Sequence, residues 1–135
     1  MLNFYDRIGG EQNLRRLVQS FYRHMDELAD AKPIREMHAP DLSQAEEKLF
    51  MFLSGWTGGP PLYMEKYGHP RLRMRHLPFA IDEAARDQWM LCMQKALEEV
   101  VDDAALRDEL MFALHEIADF MRNQSGDAQL NIDSR

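Results

Sequence analysis

The middle of the chain most constrains its fold, because a heavily interrupted segment there separates stretches of regular helical periodicity. Residues 52–79 contain four Gly, four Pro, three Arg at alternate positions and two His. So many Gly and Pro residues exclude a single regular element, and the aromatic and cationic side chains are atypical of a passive linker. His76 lies just before Leu77-Pro78, where a helix must end. An imidazole restrained in this way is well placed to hold a metal.

Apolar residues recur at three- and four-residue spacing in four other stretches, which predict four main helices. These cover approximately residues 11–28, 43–56, 83–100 and 104–121. Ser43 and Glu46 have the spacing of a capping box at the second helix, and Asp82 is a candidate N-cap for the third. From Asn123 onward the chain is polar, and we expect it to fray. No stretch has a convincing strand pattern, so the sequence predicts an all-α fold.

Residues 71–76 are ambiguous, because Arg-Leu-Arg-Met-Arg-His alternates as a strand would. The chain offers no partner strand, and an unpaired strand is not stable. A short helix instead places Leu72 and His76 four residues apart on one face. We favour the helix. The surrounding connection, about 25 residues long, is predicted to be irregular, and long loops in compact domains are usually functional.

Composition and charge narrow the class of protein. The chain has 135 residues, of which 45% are hydrophobic, and it therefore fits one globular domain. A net charge of −7 disfavours a nucleic-acid partner. No apolar run is long enough for a transmembrane helix and no signal-peptide pattern is present, so we expect no membrane partner. The single cysteine, Cys92, excludes an intramolecular disulfide and predicts a cytoplasmic location.

Several motifs along the chain resemble those of the group II truncated haemoglobins. The most specific is GHPRLRMRH at residues 68–76, followed by PF at 78–79 and RDQW at 86–89. Further matches are FYD at 4–6, IGG at 8–10, FY at 21–22, EEKL at 46–49 and GGP at 58–60. The resemblance covers residues 4 to about 121. It implies a globin-like two-over-two helical sandwich, with a truncated globin domain at residues 1–123 and a polar C-terminal tail at residues 124–135.

The same resemblance implies haem b (iron protoporphyrin IX) as the cofactor and His76 as the proximal ligand of its iron. A neutral imidazole coordinates a metal through one ring nitrogen, and a carbonyl or carboxylate usually holds the other. Outside such a motif, a lone histidine near a helix end would more simply be a loop cap.

On the opposite, ligand-binding side of the haem, the resemblance places Tyr22, Trp89 and His38, with Ala45 and Leu49 as apolar neighbours. The Tyr22 hydroxyl and the Trp89 indole N–H would donate hydrogen bonds to bound dioxygen. Both side chains also occur as ordinary core residues, and a buried phenol still needs a hydrogen-bond partner. His38 could donate to the ligand, order a water or bind the iron itself, unless it is simply an exposed loop histidine.

A further set of residues is expected to contact the haem. Lys48 and Arg75, with the phenol of Tyr63, could pair with the two haem propionates. A single Lys or Arg is more often a solvated surface charge. The apolar residues that could wall the haem, or equally belong to the ordinary core, are Phe52, Leu72, Phe79 and Met93.

The sequence therefore predicts a haem b protein that binds dioxygen and other diatomic ligands, for oxygen transport, storage or sensing. The alternative is a haem-dependent peroxidase or a nitric-oxide-detoxifying enzyme. Because the chain has no flavin or nicotinamide motif, such an enzyme would need an external electron-donor reductase. A third hypothesis is a haem-free helical interaction module. The sequence is compatible with a monomer or a homodimer.

Overall fold

The structure is a computed structural model that describes residues 2–123 apart from the side chain of Arg73, and helices make up most of that range. In chain order they are α1 (Phe4–Ile8), α2 (Gly10–Glu27), α3 (Lys32–Glu36), α4 (Ser43–Trp56), α5 (Leu62–Tyr67), α6 (Leu72–His76), α7 (Glu83–Val100) and α8 (Ala104–Phe120). A 3-10 turn, Ala29–Ala31, joins α2 to α3. No strand occurs between residues 2 and 123, so the all-α prediction is confirmed. The predicted tail, residues 124–135, lies outside the described residues.

The four long helices pack as two pairs. Helix α2 packs on α4, α7 packs on α8, and the most extensive contact joins the pairs through α2 and α7. This is the predicted two-over-two sandwich. Its centre consists of apolar side chains that are almost fully buried, among them Leu14, Phe21, Met25, Phe50, Met93, Leu97, Leu106 and Leu110. In the part of the chain that the structure describes, no helix has the length and apolar character needed to cross a membrane.

One of the two predicted helix caps is confirmed and the other is wrong. The Asp82 carboxylate accepts a hydrogen bond from a backbone amide in the first turn of α7, at 2.8 Å. Ser43 and Glu46 form no capping box, because the N-cap of α4 is Leu42, whose side chain cannot accept a hydrogen bond. The side chain of Asp41 provides the hydrogen bonds near this end of α4 instead. Its Oδ1 accepts from both the amide (2.9 Å) and the hydroxyl (2.6 Å) of Ser43.

The middle connection is more regular than predicted, because it contains the short helices α5 and α6. Leu72–His76 form a helix rather than a strand, so the helical prediction is confirmed for all of 71–76 except its first residue. Gly68 and Arg71 both have positive φ, at +81° and +47°. Arg71 is the only described residue other than Gly with such a φ, a conformation that costs free energy for a side chain. Its amide donates to Nδ1 of His69 (3.1 Å), which stabilises the tight turn leading into α6.

The N-terminal segment is attached to the end of α4 by close backbone contact. The Asn3 side chain donates to the carbonyl of Gly58 (3.1 Å) and accepts from the amide of Asp6 (2.8 Å). A Cβ at Gly59 would lie 2.4 Å from a ring carbon of Tyr5, so only glycine fits under this ring. The two glycines therefore let α1 cover the point where α4 ends.

Candidate functional site

Two adjoining cavities lie beside α6. The larger has a volume of about 420 Å³ and the smaller about 100 Å³. They share His76, Trp89 and Met121 as wall residues. The other residues around the larger cavity are Tyr22, Ala45, Lys48, Leu49, Phe52, Leu53, Tyr63, Leu72, Arg75, Leu114 and Ile117. The smaller cavity is completed by Ile34, Met37, His38, Phe79, Ile81, Ala85, Arg86 and Ala118.

Almost every residue that the sequence singled out lines one of these cavities. His38 and Phe79 lie on the smaller, His76 and Trp89 on both, and the others on the larger. Met93 is the exception, because it is fully buried in the core and lines neither cavity. This burial fits ordinary core packing, one of the two alternatives that the spacing left open for Met93, and its contact with a haem stays a prediction.

His76 ends α6, and its ring is held in one tautomer by its own helix. Its Nδ1 lies 2.6 Å from the carbonyl oxygen of Leu72, one turn earlier. Because a carbonyl can only accept, Nδ1 must carry the proton, and Nε2 of the neutral ring keeps its lone pair. An imidazole oriented in this way is suited to binding a metal through Nε2.

Tyr22 is only 6% exposed, and its ring packs edge-on against Phe21 with centroids 4.9 Å apart. Burial, with a smaller contribution from the charge of Glu46, raises the pKa of Tyr22 well above its ordinary value. The phenol therefore keeps its proton. Among the side chains that the structure describes, none forms a hydrogen bond with this hydroxyl, which leaves its O–H available as a donor at the wall of the larger cavity.

His38 and Trp89 lie close to Tyr22 and Phe21. The rings of His38 and Tyr22 have centroids 5.8 Å apart, and those of Trp89 and Phe21 are 5.0 Å apart. His38 is partly buried, so it is not a freely exposed loop histidine. Its Nδ1 is 2.8 Å from the carbonyl of Ile34 and therefore carries the proton in the neutral ring. Nε2 of neutral His38 then accepts hydrogen bonds but cannot donate one.

The larger cavity has apolar walls and cations at its mouth. Lys48 and Arg75 are both exposed there. The Lys48 ammonium lies 5.5 Å from the ring centroid of Tyr67, and Arg75 Nε donates to the carbonyl of Pro70 at 2.8 Å. A flat apolar macrocycle with carboxylates at one edge fits such a cavity, because its body is buried and its charges meet Lys or Arg. The residues present thus fit a haem.

Sequence reasoning missed the contribution of α8 and of residues flanking Trp89. Leu114, Ile117 and Met121 recur at helical spacing, which predicted that this face points inward but not whether it meets core or cavity. Arg86 belongs to the RDQW motif, but nothing in the sequence assigned it to the site. It lines the smaller cavity and pairs with Asp119 at 2.7 Å, a contact between residues far apart in the chain.

A model of the bacterial-like globin family matches residues 3–123 of the chain. The chain belongs to this family. The group 2 truncated hemoglobin YjbI of Bacillus subtilis (strain 168) is 40% identical to this globin over 121 residues, which cover 90% of the chain and 89% of the relative.

Two solved structures are also similar to this globin. A cold-adapted truncated hemoglobin from Pseudoalteromonas haloplanktis TAC125 is 43% identical, with a TM-score of 0.89 over 91% of this chain and 99% of that one. A group II 2-on-2 hemoglobin from Agrobacterium tumefaciens is 41% identical, with a TM-score of 0.88 over 92% and 96%. The resemblance to group II truncated haemoglobins is thus confirmed. Membership of the globin family implies that this chain binds haem and small diatomic ligands such as oxygen.

Proposed function

We propose that this globin holds haem b through Nε2 of His76 and binds dioxygen and other diatomic ligands on the opposite face. The observation that carries the proposal is the 2.6 Å contact between Nδ1 of His76 and the carbonyl of Leu72. That contact leaves Nε2 as the only ring nitrogen able to bind a metal. When bound, haem would supply an iron that His76 would hold and that would bind a diatomic ligand.

The b-type assignment is supported by the state of the only cysteine. Covalent attachment of a c-type haem uses a C-x-x-C-H motif, which this sequence lacks. Cys92 is completely buried on α7, and burial raises the pKa of its thiol to about 11. Noncovalent binding instead uses the apolar walls, with Lys48, Arg75 and the phenol of Tyr63 as partners for the propionates.

On the ligand side we propose that Tyr22 is the principal hydrogen-bond donor. Its neutral hydroxyl is available at the cavity wall, and a hydrogen bond to a partly charged acceptor contributes about 1.5–3 kcal/mol. Trp89 adds an indole N–H and bulk that restricts access, while Ala45 and Leu49 add only apolar surface. Neutral His38 acts as an acceptor at Nε2 for a water.

The decisive experiment compares absorption spectra of the ferric, ferrous and dioxygen-exposed protein with those of His76→Ala. The natural protein is expected to be red with an intense Soret band. His76→Ala should lose stable haem or change its coordination, and added imidazole should restore part of the spectrum. His115→Ala, which removes an exposed histidine from α8, is the matched control and should leave the spectrum unchanged. An unaltered spectrum in His76→Ala would exclude His76 as the ligand.

The tautomer of His38 favours one second candidate, a peroxidase. A lone pair at Nε2 of His38 can accept a proton from a hydroperoxide beside Tyr22, which is general-base chemistry. Turnover of peroxide, or of nitric oxide, would need electrons from an external reductase. Turnover no faster than that of free haemin, or unchanged in His38→Ala, would exclude this role.

Two broader features complete the proposal. A single buried thiol is typical of proteins in a reducing compartment, which supports a cytoplasmic location.

We propose that the protein is a monomer or a homodimer, and light scattering during gel filtration of the haem-loaded protein distinguishes the two.

A further inference from the structure

We propose that Asn123 is a positioning residue for the haem site and fixes the chain that leaves His76. This inference rests on the proposed function, because it concerns the strength and geometry of the bond between His76 and the iron. Asn123 follows α8 and lines neither cavity. It therefore acts on the haem only through the backbone that it holds.

Asn123 forms four hydrogen bonds with the segment 76–81, which joins α6 to α7. Its Nδ2 donates to the carbonyl of His76 at 3.1 Å and to that of Phe79 at 2.8 Å. Its Oδ1 accepts from the amide of Ile81 at 2.9 Å. Its backbone N–H donates to the carbonyl of Ile81, also at 2.9 Å. The side-chain amide thus binds both ends of the segment at once.

Apart from Ile81, which packs against the core, little else in the described chain attaches this segment to the domain. Residues 77–80 are all exposed, and Pro78 has no N–H to donate. The bond from the Phe79 amide to the His76 carbonyl (3.0 Å) lies within the segment and does not anchor it. Helix α6 has only five residues and, within residues 2–123, packs extensively against no other helix.

The two ends of α6 are therefore held by different means. The turn at Arg71 fixes the start, and Asn123 fixes the end by binding the carbonyl of His76 itself. A displaced carbonyl moves the Cα of the same residue and so changes the tilt of the imidazole. Residues outside the ligand set commonly tune metal sites in this way.

The test uses full-length Asn123→Ala and Asn123→Asp, with Asn3→Ala as the matched control. Asp keeps an acceptor for the Ile81 amide but loses both donated bonds and places a carboxylate against two carbonyls. Asn3 also uses both sides of its amide, because Nδ2 donates to the distant Gly58 and Oδ1 accepts from the nearby Asp6, but these partners line neither cavity.

We expect the iron–histidine stretching band of the ferrous protein, measured by resonance Raman, to shift or broaden in both Asn123 variants. Transfer of haem to excess apomyoglobin should be faster by about tenfold, as expected for the loss of one or two hydrogen bonds. In the apoprotein, hydrogen exchange at the Ile81 amide should rise in Asn123→Ala and less in Asn123→Asp. Asn3→Ala should change neither the band nor the rate of haem transfer.

An unchanged band in both Asn123 variants, with haem transfer within twofold of the natural protein, would overturn the inference. So would equal effects in Asn3→Ala, since they would reflect general destabilisation. If Asn123→Ala does not fold, the band in Asn123→Asp decides. Failure of the proposed function gives a different result, because the band would then survive in His76→Ala.

Discussion

Two histidines beside the cavities, His38 and His76, are oriented by the same local contact. In each, Nδ1 bonds the carbonyl four residues earlier, Ile34 O in one case and Leu72 O in the other. Each contact is local, because both partners belong to the same turn of the chain. It therefore does not depend on packing against another helix. The two imidazoles, when neutral, consequently keep their lone pairs at Nε2.

Tyr22→Phe isolates the effect of one hydroxyl, because the ring and its packing on Phe21 are retained. We expect dioxygen release to accelerate by one to two decades, since a hydrogen bond to a charged acceptor contributes about 1.5–3 kcal/mol. Stopped-flow displacement of dioxygen by carbon monoxide measures the rate. Tyr5→Phe removes a phenol that lies against Gly59 and should have no effect. Unchanged release in both Tyr22→Phe and Trp89→Phe would refute the donor assignment.

Single residues were predictable from the sequence where a local motif identifies them. The GHPRLRMRH run and the proline after it were enough to single out His76. The same reasoning could not fix the tautomer of His38, which depends on how residues 34–38 turn. Nor could it separate Phe52 at the cavity wall from Met93 in the core, because both are apolar residues on helical stripes.

At the scale of elements, helices long enough to repeat their apolar spacing were predicted, whereas of the short ones only α6 was. Helices α3 and α5 have five and six residues, too few for the periodicity of 3.6 to be recognised. The prediction that the chain frays from Asn123 is wrong at that residue, because its polar side chain binds backbone rather than solvent. Such contacts between residues 42 or more apart leave no local pattern.

Asp82→Ala tests the cap at the start of α7, the helix that carries Trp89. Loss of the bond from Asp82 to the first turn should lower the free energy of unfolding by about 1 kcal/mol. Urea denaturation of both proteins measures the difference. Ser43→Ala should cost less, because Ser43 does not cap α4. Equal losses in the two variants would indicate that the capping box at Ser43 forms after all.

Glu99 on α7 joins that helix to α2 and makes the contact sensitive to acid. Arg23, at 2.5 Å, and then His24 lower the pKa of Glu99 from its usual 4.5 to about 2. A carboxylate with a depressed pKa stabilises the fold above its unfolded pKa and ceases to do so as the pH falls through its folded pKa. The contribution of Glu99 should therefore be complete above about pH 4.5 and decline towards pH 2.

Glu99→Gln should accordingly be less stable than the natural protein at pH 7, and the difference should shrink at pH 4 and again at pH 3. Urea midpoints at the three values of pH provide the comparison. Glu27→Gln, which removes a more distant partner of Arg23 (3.7 Å), should show a much smaller difference at every pH. A difference that stays constant with pH would contradict the assignment.

At the scale of the whole molecule, the helices leave space between them for a cofactor. Cavities of about 420 and 100 Å³ are bounded by residues from every helix from α2 to α8. The sequence predicted the fold and most of this boundary because the family's motifs lie on those elements. It could not predict how far the cavity extends along α8, since core and cavity walls have the same apolar composition.

Haem should therefore act as a structural element of this globin. A ligand that binds only the folded state at 100 times its Kd stabilises that state by about 2.7 kcal/mol. We expect the apoprotein to melt at a markedly lower temperature than the haem-loaded protein, and His76→Ala to lose most of the increase. Circular dichroism at 222 nm follows both transitions. Identical melting temperatures with and without haem would contradict this role.

The complete burial of Cys92 has a practical consequence. A thiol that is 0% exposed, with a pKa of about 11, should not react with a maleimide at neutral pH. A cysteine introduced at an exposed position, such as Phe112 on α8, would then be the single attachment point for a dye. Energy transfer from that dye to the porphyrin would report occupancy of the pocket in real time, with no background labelling to subtract.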